Sequence, residues 1–427
     1  MNHLEEKTAK LNTPETEAHL KMLYGPDEKT LTKQKARYAA LLERFAAAFG
    51  NAERAVFFSA PGRSEIGGNH TDHNNGRVLA ASVNLDTLCA AAARTDFHVR
   101  FLSEGYAPVE LDLESTEARP EETGTTKALI RGVADGMKQA GYRIGGFDAV
   151  VTSTVAGGSG LSSSAAVEVM LTGLFDGLFN DFAMPFIERA QVSRRAENLF
   201  FGKPSGLLDQ MASAAGGLVT VDFQDDRNPR VEALNYDFAR KGYALVVVGT
   251  GGSHADLTDH YAAIPAEMKA VAAFFGQKTL RGLTEADLLN RMSALRKQVS
   301  DRALERAFHF IQENDRVPKQ VEALRQDRIR DFLDLIIESG RSSFMYLQNI
   351  YATNADQSLS LALCMAESML KGKGAWRIHG GGFAGTTLNF VPLDMAEDFV
   401  REMDSAFGES ACHVLNVRPV GADRLVL

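Results

Sequence analysis

Four segments carry residue types at spacings that suit chemistry. In the first, Gly157-Gly158-Ser159-Gly160-Leu161-Ser162-Ser163-Ser164 lies between a β-branched run and an apolar stripe at helical spacing. Glycines let a backbone approach a ligand closely, free N–H groups at a helix start attract an anion, and serine hydroxyls add donors or a magnesium ligand. A polyphosphate needs that combination. A serine-capped helix after a flexible turn is the plainer reading, but one serine would suffice for a cap. No Lys-Ser or Lys-Thr pair follows the glycines, so the loop is not of Walker type.

The second segment, 61–76, is polar between the apolar strands Val56 to Phe58 and Val78 to Leu79, and reads as a loop on a rigid base. Asn69, His70 and Asp72 can present donors and acceptors to the hydroxyls of a sugar. A metal site of His70, Asp72 and His73 competes, but no third His or carboxylate arrives at helical spacing. In the third, Glu197 shares a helix face with Ala190 and Phe201, a position that suits a metal-binding carboxylate, and Asp209 follows Gly206-Leu207-Leu208 at a loop-to-helix junction. Either acid, taken alone, also fits a surface partner or a helix cap. The fourth, Gly380 to Gly385, satisfies G-x-G-x-x-G, yet Leu388 to Val391 reads as a strand where a dinucleotide fold requires a helix.

The elements that must hold these segments are legible in outline. Thr13-Pro14 starts a helix and Gly25-Pro26 stops it; Leu41, Phe45 and Phe49 mark another that ends at Gly50. Phe147 to Val155 is a strand, Val167 to Leu178 a helix, Ile187 to Phe201 a second helix, and Tyr243 to Val248 a buried strand. Helical periodicity dominates from Pro265 to Gly340. Strands and helices mix without strict βαβ alternation, which predicts an α+β fold. The expected division is an N-terminal extension over 1–30, a first domain over 31–236 and a second over 237–427, with the site in the cleft between the domains.

The chain has 427 residues, 45% of them hydrophobic and 24% charged, in the proportions of a globular protein. Forty-six basic residues against 55 acidic ones give a net charge of -9, which argues against a nucleic-acid footprint. Three dispersed cysteines exclude a disulfide framework, and no apolar run approaches a membrane span. The polar start MNHLEEKTAK lacks a signal-peptide core. A cytoplasmic location is expected; no protein partner is readable.

Taken in order, the four segments resemble the galactokinase family of the GHMP small-molecule kinases. Residues 61–79 are similar to the galactokinase signature, Gly157 to Ala166 to the phosphate loop, Glu197 to Gln210 to the segment with the catalytic acid, and Gly380 to Gly385 to the third glycine motif. Gly251-Gly252-Ser253-His254 through Tyr261 is similar to the segment with a sugar-contacting tyrosine. The resemblance implies a two-domain fold that transfers phosphate from ATP to the anomeric hydroxyl of galactose. It makes Asp209 the base and Arg63 the residue that stabilises charge beside it. Asn69, His70, Asp72, Gly206 and Tyr261 would bind the sugar, Gly157 to Ser164 would cradle the phosphates, and Ser164 with Glu197 would hold Mg²⁺. An arginine beside Asp209 should keep it ionised.

The signature departs from the family pattern R-x-N-L-I-G-E-H-T-D-Y at four positions: Glu65 stands for Asn, Gly67 for an aliphatic residue, Asn69 for Glu and His73 for Tyr. In the family that Glu contacts the C6 hydroxyl, so an uncharged Asn69 predicts tolerance of a C6-altered galactoside such as galacturonate. Two further readings stand beside the sugar kinase. One is a catalytically silent sugar sensor, against which the serine loop and Asp209 are both retained; the other is a mevalonate-type kinase, disfavoured by His70-Thr71-Asp72 and Asp209-Gln210.

Overall fold

The computed structural model describes residues 3–50, 52–155, 157, 159–225, 227–251, 257–351, 356–383 and 385–427. Gly158, the segment 252–256 and Ala384, all within the motifs above, lie outside the described residues. The chain opens with helices α1 (His3–Lys10), α2 (Pro14–Tyr24) and α3 (Glu28–Phe49). Thr13 caps α2 by accepting the Thr16 N–H at 3.4 Å, with Pro14 in the first turn, and Asp27 caps α3 in the same way at 2.7 Å. Leu20, Tyr24, Tyr38 and Leu42 bury the inner face of these helices against Phe57, Leu88 and Ala90.

Those three residues lie on β1 (Val56–Gly67) and β2 (Arg77–Ala93), the centre of the first sheet. The sheet also contains β3 (His98–Ser103), β4 (Val109–Asp112) and, after helix α4 (Thr126–Gln139), β5 (Phe147–Ser153). Helices α5 (Ser163–Phe179), α6 (Phe186–Ala196) and α7 (Leu208–Ala215) follow, then β6 (Leu218–Asp222) and β7 (Arg230–Leu234). The long β2 pairs with β5 through Thr87 to Ala93 and with β6 through Arg77 to Ala81. Helices α4 to α7 cover the face opposite α1 to α3 through a core that includes Val133, Phe147, Leu174 and Met211.

The second half begins with β8 (Tyr243–Gly249) and continues through α8 (Thr258–Phe274), α9 (Glu285–Leu295), α10 (Asp301–Arg325), α11 (Ile329–Ser342) and α12 (Ser358–Leu370). It closes with β9 (Ala375–His379), β10 (Thr386–Pro392), α13 (Ala396–Phe407), β11 (Cys412–Leu415) and β12 (Asp423–Leu425). Strands β11-β8-β10-β9 form an antiparallel sheet. One apolar cluster joins the halves, since Ile66, Leu79 and Ala81 of the first sheet pack with Leu245, Leu388 and the α10 and α11 residues Val321 and Phe332. The chain then crosses back. β12 pairs with β1, so a single cut at residue 237 does not separate the two sheets. Among the described residues, no helix is long and apolar enough to cross a membrane.

Two local expectations change. Pro61 to Gly67 is the end of β1 and not part of a loop: Arg63, Ser64 and Glu65 pair with Ser82, Ala81 and Ala80, between two register shifts. Both faces of this stretch are buried, so polar and apolar residues do not alternate and the strand has no period-2 signature. The helix expected to Phe201 runs as α6 to Ala196 and then widens into a π-helical turn, Glu197–Phe201.

Candidate active site

Asp209 occupies the first turn of α7, and Arg63 reaches it from β1 with a two-pronged contact: Nε donates to Oδ1 at 2.7 Å and Nη2 to Oδ2 at 3.0 Å. The guanidinium also donates from Nη1 to the Gly160 carbonyl at 2.6 Å. The Ser162 hydroxyl adds a third donor to Asp209, to Oδ2 at 2.5 Å. Burial works to raise the Asp209 pKa, but the Arg63 charge, its hydrogen bonds and those of Ser162 outweigh it and hold the carboxyl below its usual value. About a third of the Asp209 side chain (34%) remains open to a ligand.

Because its hydroxyl is spent on Asp209, Ser162 does not cap α5. It sits in left-handed conformation (φ 59°), and its side chain makes no hydrogen bond to the first N–H groups of the helix. The capped-helix reading therefore fails for Ser162, and a half-buried helix start without a cap from this residue is an arrangement that attracts anions. Gly160 (φ 70°) brings this loop against β10, where a Cβ would stand 2.0 Å from the Thr386 hydroxyl.

On the other flank, the Ser164 hydroxyl donates to Glu197 Oε1 at 3.2 Å, and the Lys203 ammonium reaches the same oxygen at 2.9 Å. Gln210 Nε2 bridges Glu197 Oε2 and Glu168 Oε2, 2.9 Å from each. Burial, with the Glu197 charge beside it, pushes the Glu168 carboxyl well above its usual range. A hydroxyl and a carboxylate oxygen already holding a cation fit Mg²⁺, a hard ion that commonly takes one or two protein oxygens and completes its shell from substrate phosphate and water. His70, Asp72 and His73 do not converge in that way: His70 Nε2 is committed to the Gly381 carbonyl at 3.0 Å, and among the described residues no set of three His, Cys, Asp or Glu side chains is arranged for a metal.

Since a carbonyl only accepts, His70 Nε2 carries the proton and Nδ1 is a bare acceptor, shielded and without a partner among the described residues. Burial and the neighbouring His73 push its pKa down to about 4, which keeps the ring neutral. Asp72 receives the His73 N–H on Oδ1 at 3.0 Å, and its other oxygen faces Gly206, where a Cβ would lie 1.7 Å away. Tyr261 lies flush on Gly381 and donates to the Gly382 carbonyl at 2.7 Å. Four of the five expected sugar residues thus gather in one region with Arg63 and Asp209.

Asn69 is the exception and corrects the sequence reading. It is fully buried, and its amide is used up by the protein: Nδ2 donates to Glu65 Oε1 at 2.9 Å and to the Gly380 carbonyl at 2.8 Å, while Oδ1 accepts from Ser343 and Asn349 at 3.1 Å each. An amide with both donors and both acceptors engaged has nothing left for a sugar, and the predicted tolerance of galacturonate loses its basis. Sequence reasoning also missed Arg377, which donates to Glu65 at 2.7 Å, and His379, which meets Ser64 and the Glu65 N–H at 3.2 Å. Lys203 was missed as well. Lys203 follows its partner Glu197 by six residues, a spacing that no helical pairing rule flags, whereas for Glu65 the exchange of acid and amide at positions 65 and 69 was visible.

These features agree with what the chain is similar to. A model of the galactokinase galactose-binding signature matches residues 43–93, and one of the GHMP kinases N terminal domain matches residues 128–217. The galactokinase of Streptomyces coelicolor is 30% identical over 388 residues, covering 90% of this chain and 97% of the relative. Human galactokinase is 31% identical over 385 residues, with 88% and 94% covered. A solved galactokinase from Lactococcus lactis in complex with galactose matches with a TM-score of 0.79 at 24% identity, over 91% of this chain and 99% of that one. A mevalonate kinase structure matches less well, with a TM-score of 0.59 at 14% identity over 84% and 99%. The fold is that of the GHMP kinases, which phosphorylate small molecules. Within that class the chain belongs to the galactokinase family, and it is a sugar kinase.

Proposed function

We propose that the protein transfers the terminal phosphoryl group of ATP to the anomeric hydroxyl of galactose. The observation that carries this reading is the junction of Asp209, Arg63 and Ser162 at the uncapped start of α5, which sets an ionised base beside an anion-binding helix end. Asp209 accepts the proton of the sugar hydroxyl as that oxygen begins to bond phosphorus; its lowered pKa favours transfer late, when the oxygen has become acidic. Arg63 holds the carboxylate in place and offsets negative charge as it develops. The loop from Gly157 to Ser164 receives the phosphates, and His70, Asp72, Gly206 and Tyr261 orient the sugar between the halves 31–236 and 237–427. Ser164 and Glu197 are the residues that would hold Mg²⁺, which supplies charge neutralisation on the phosphate oxygens when bound.

A panel of monosaccharides with ATP tests the reading. Galactose should be phosphorylated at C1, and Asp209→Asn should retain binding of both substrates while losing turnover. A wild type that binds galactose and ATP without transfer would favour a sensor instead.

A further inference from the structure

Arg63 and Glu65 alternate on β1 and therefore project from the same face of the strand. Arg63 leads to Asp209, and Glu65 lies within reach of the charges of both. The carboxylate is buried, with 6% exposure, yet its two oxygens are treated differently. Oε1 receives Arg377 Nη2 at 2.7 Å and Asn69 Nδ2 at 2.9 Å; among the described residues no hydrogen bond reaches Oε2. Oε2 is thus the end of an otherwise enclosed carboxylate that stays open to a further donor, and burial of the group raises the Glu65 pKa against the pull of Arg377 and Arg63. Nearby, His70 Nδ1 is also an acceptor without a donor among the described residues. The missing donors are what a polyol supplies.

Building on the sugar-kinase reading, we infer that Glu65 determines sugar specificity: its Oε2 accepts one hydroxyl of the substrate, and Asn69, whose amide is wholly engaged, serves to orient Glu65. The site then demands a donor at that hydroxyl position. It disfavours a deoxy sugar, which leaves the carboxylate unpaired, and a sugar carrying a carboxylate there, which places two anions in contact.

The test is a hydroxyl scan: kcat and KM for galactose and for its 2-, 3-, 4- and 6-deoxy derivatives, which all keep the acceptor hydroxyl at C1. In wild type, at least one deoxy position should lower kcat/KM by about ten- to a hundredfold, the value of a hydrogen bond to a charged group. In Glu65→Gln, with the amide oxygen kept towards Arg377, a donor replaces the acceptor at Oε2. The KM for galactose should rise by a similar factor, and the same deoxy position should then matter by less than about threefold, an effect that a general loosening of the fold would not produce. If that variant does not fold, the double exchange Glu65→Asn with Asn69→Glu keeps one acid in the pair, and the sensitive position should move or vanish. A scan that is flat in wild type, or the same in wild type and the folded variant, overturns the assignment of Glu65. A wild type that phosphorylates no hexose overturns the underlying sugar-kinase reading instead.

Discussion

Two carboxylates on either side of the first sheet, one enclosed and one partly open, receive opposite treatment. Asp86, beneath the N-terminal helices, is fully enclosed and accepts from Tyr24 at 2.6 Å, from Arg37 at 2.5 Å, from Arg418 at 3.4 Å and from Ser59. Asp209, on the side of α4 to α7, is gripped by Arg63 and Ser162 but keeps a third of its side chain open. Both are held below their usual pKa against the cost of burial. Around Asp86 both carboxylate oxygens are engaged, and the result is a clamp that ties α2, α3, β1 and the segment before β12 together. Around Asp209, Glu65 Oε2, Asp72 Oδ2 and His70 Nδ1 keep spare capacity, and that capacity distinguishes a site from a frame.

The comparison can be broken most sharply by removing each charge in turn. Asp209→Asn should lower kcat by about a hundred- to ten-thousandfold while the denaturation midpoint stays close to wild type, as read by a coupled kinase assay and urea unfolding. Asp86→Asn should do the reverse and cost about 3 to 5 kcal/mol of stability, because Arg37 and Arg418 lose their shared anion, with normal turnover per folded molecule. The Asp86 contribution is fully present above the ordinary carboxylate pKa and is lost as pH falls through its lowered folded value. The variant should therefore lose less stability than wild type on acidification below about pH 4.

Arg63→Met sharpens the same contrast within the site. With the guanidinium gone, burial is opposed only by Ser162 and Lys203, so the Asp209 pKa rises and the acid limb of kcat/KM should move up by about one to three pH units. An unmoved limb would mean that another group titrates. Gly206→Ala puts a methyl group against Asp72 Oδ2, and the galactose KM should rise about tenfold with a smaller change in kcat. The smallest effect belongs to Ser162→Ala, which removes one of the three donors to Asp209: a loss in kcat of about threefold and a slight upward shift of the acid limb.

What the sequence discloses follows the same division. The helix boundaries at Thr13-Pro14 and Gly50 and the strand starting at Phe147, which ends at Ser153 rather than Val155, were legible because local residue types specify them, whereas the pairing of Arg63 with Asp209 followed only from the family resemblance and the contact of Ser162 with Asp209 was not foreseen. Ser162 shows the limit: a serine at a helix start predicts a cap, and only the approach of α7 turns its hydroxyl to Asp209 instead. Asn69 was misread because its partners, Ser343, Asn349 and Gly380, come from more than 270 residues away, where no spacing argument reaches. Arg377 and His379 were hidden for the same reason, and β1 was shortened because burial on both faces erases its alternation.

The central claim is that the chain transfers phosphate to a sugar with Asp209 as base. It is tested most directly by a single-turnover measurement with γ-labelled ATP, galactose and enzyme in excess, on wild type and Asp209→Asn, with binding of both substrates measured in parallel. Wild type should pass the label to the C1 oxygen of galactose, and the variant should bind both substrates but transfer at least about a hundredfold more slowly. Equal transfer rates in the two proteins would contradict the account.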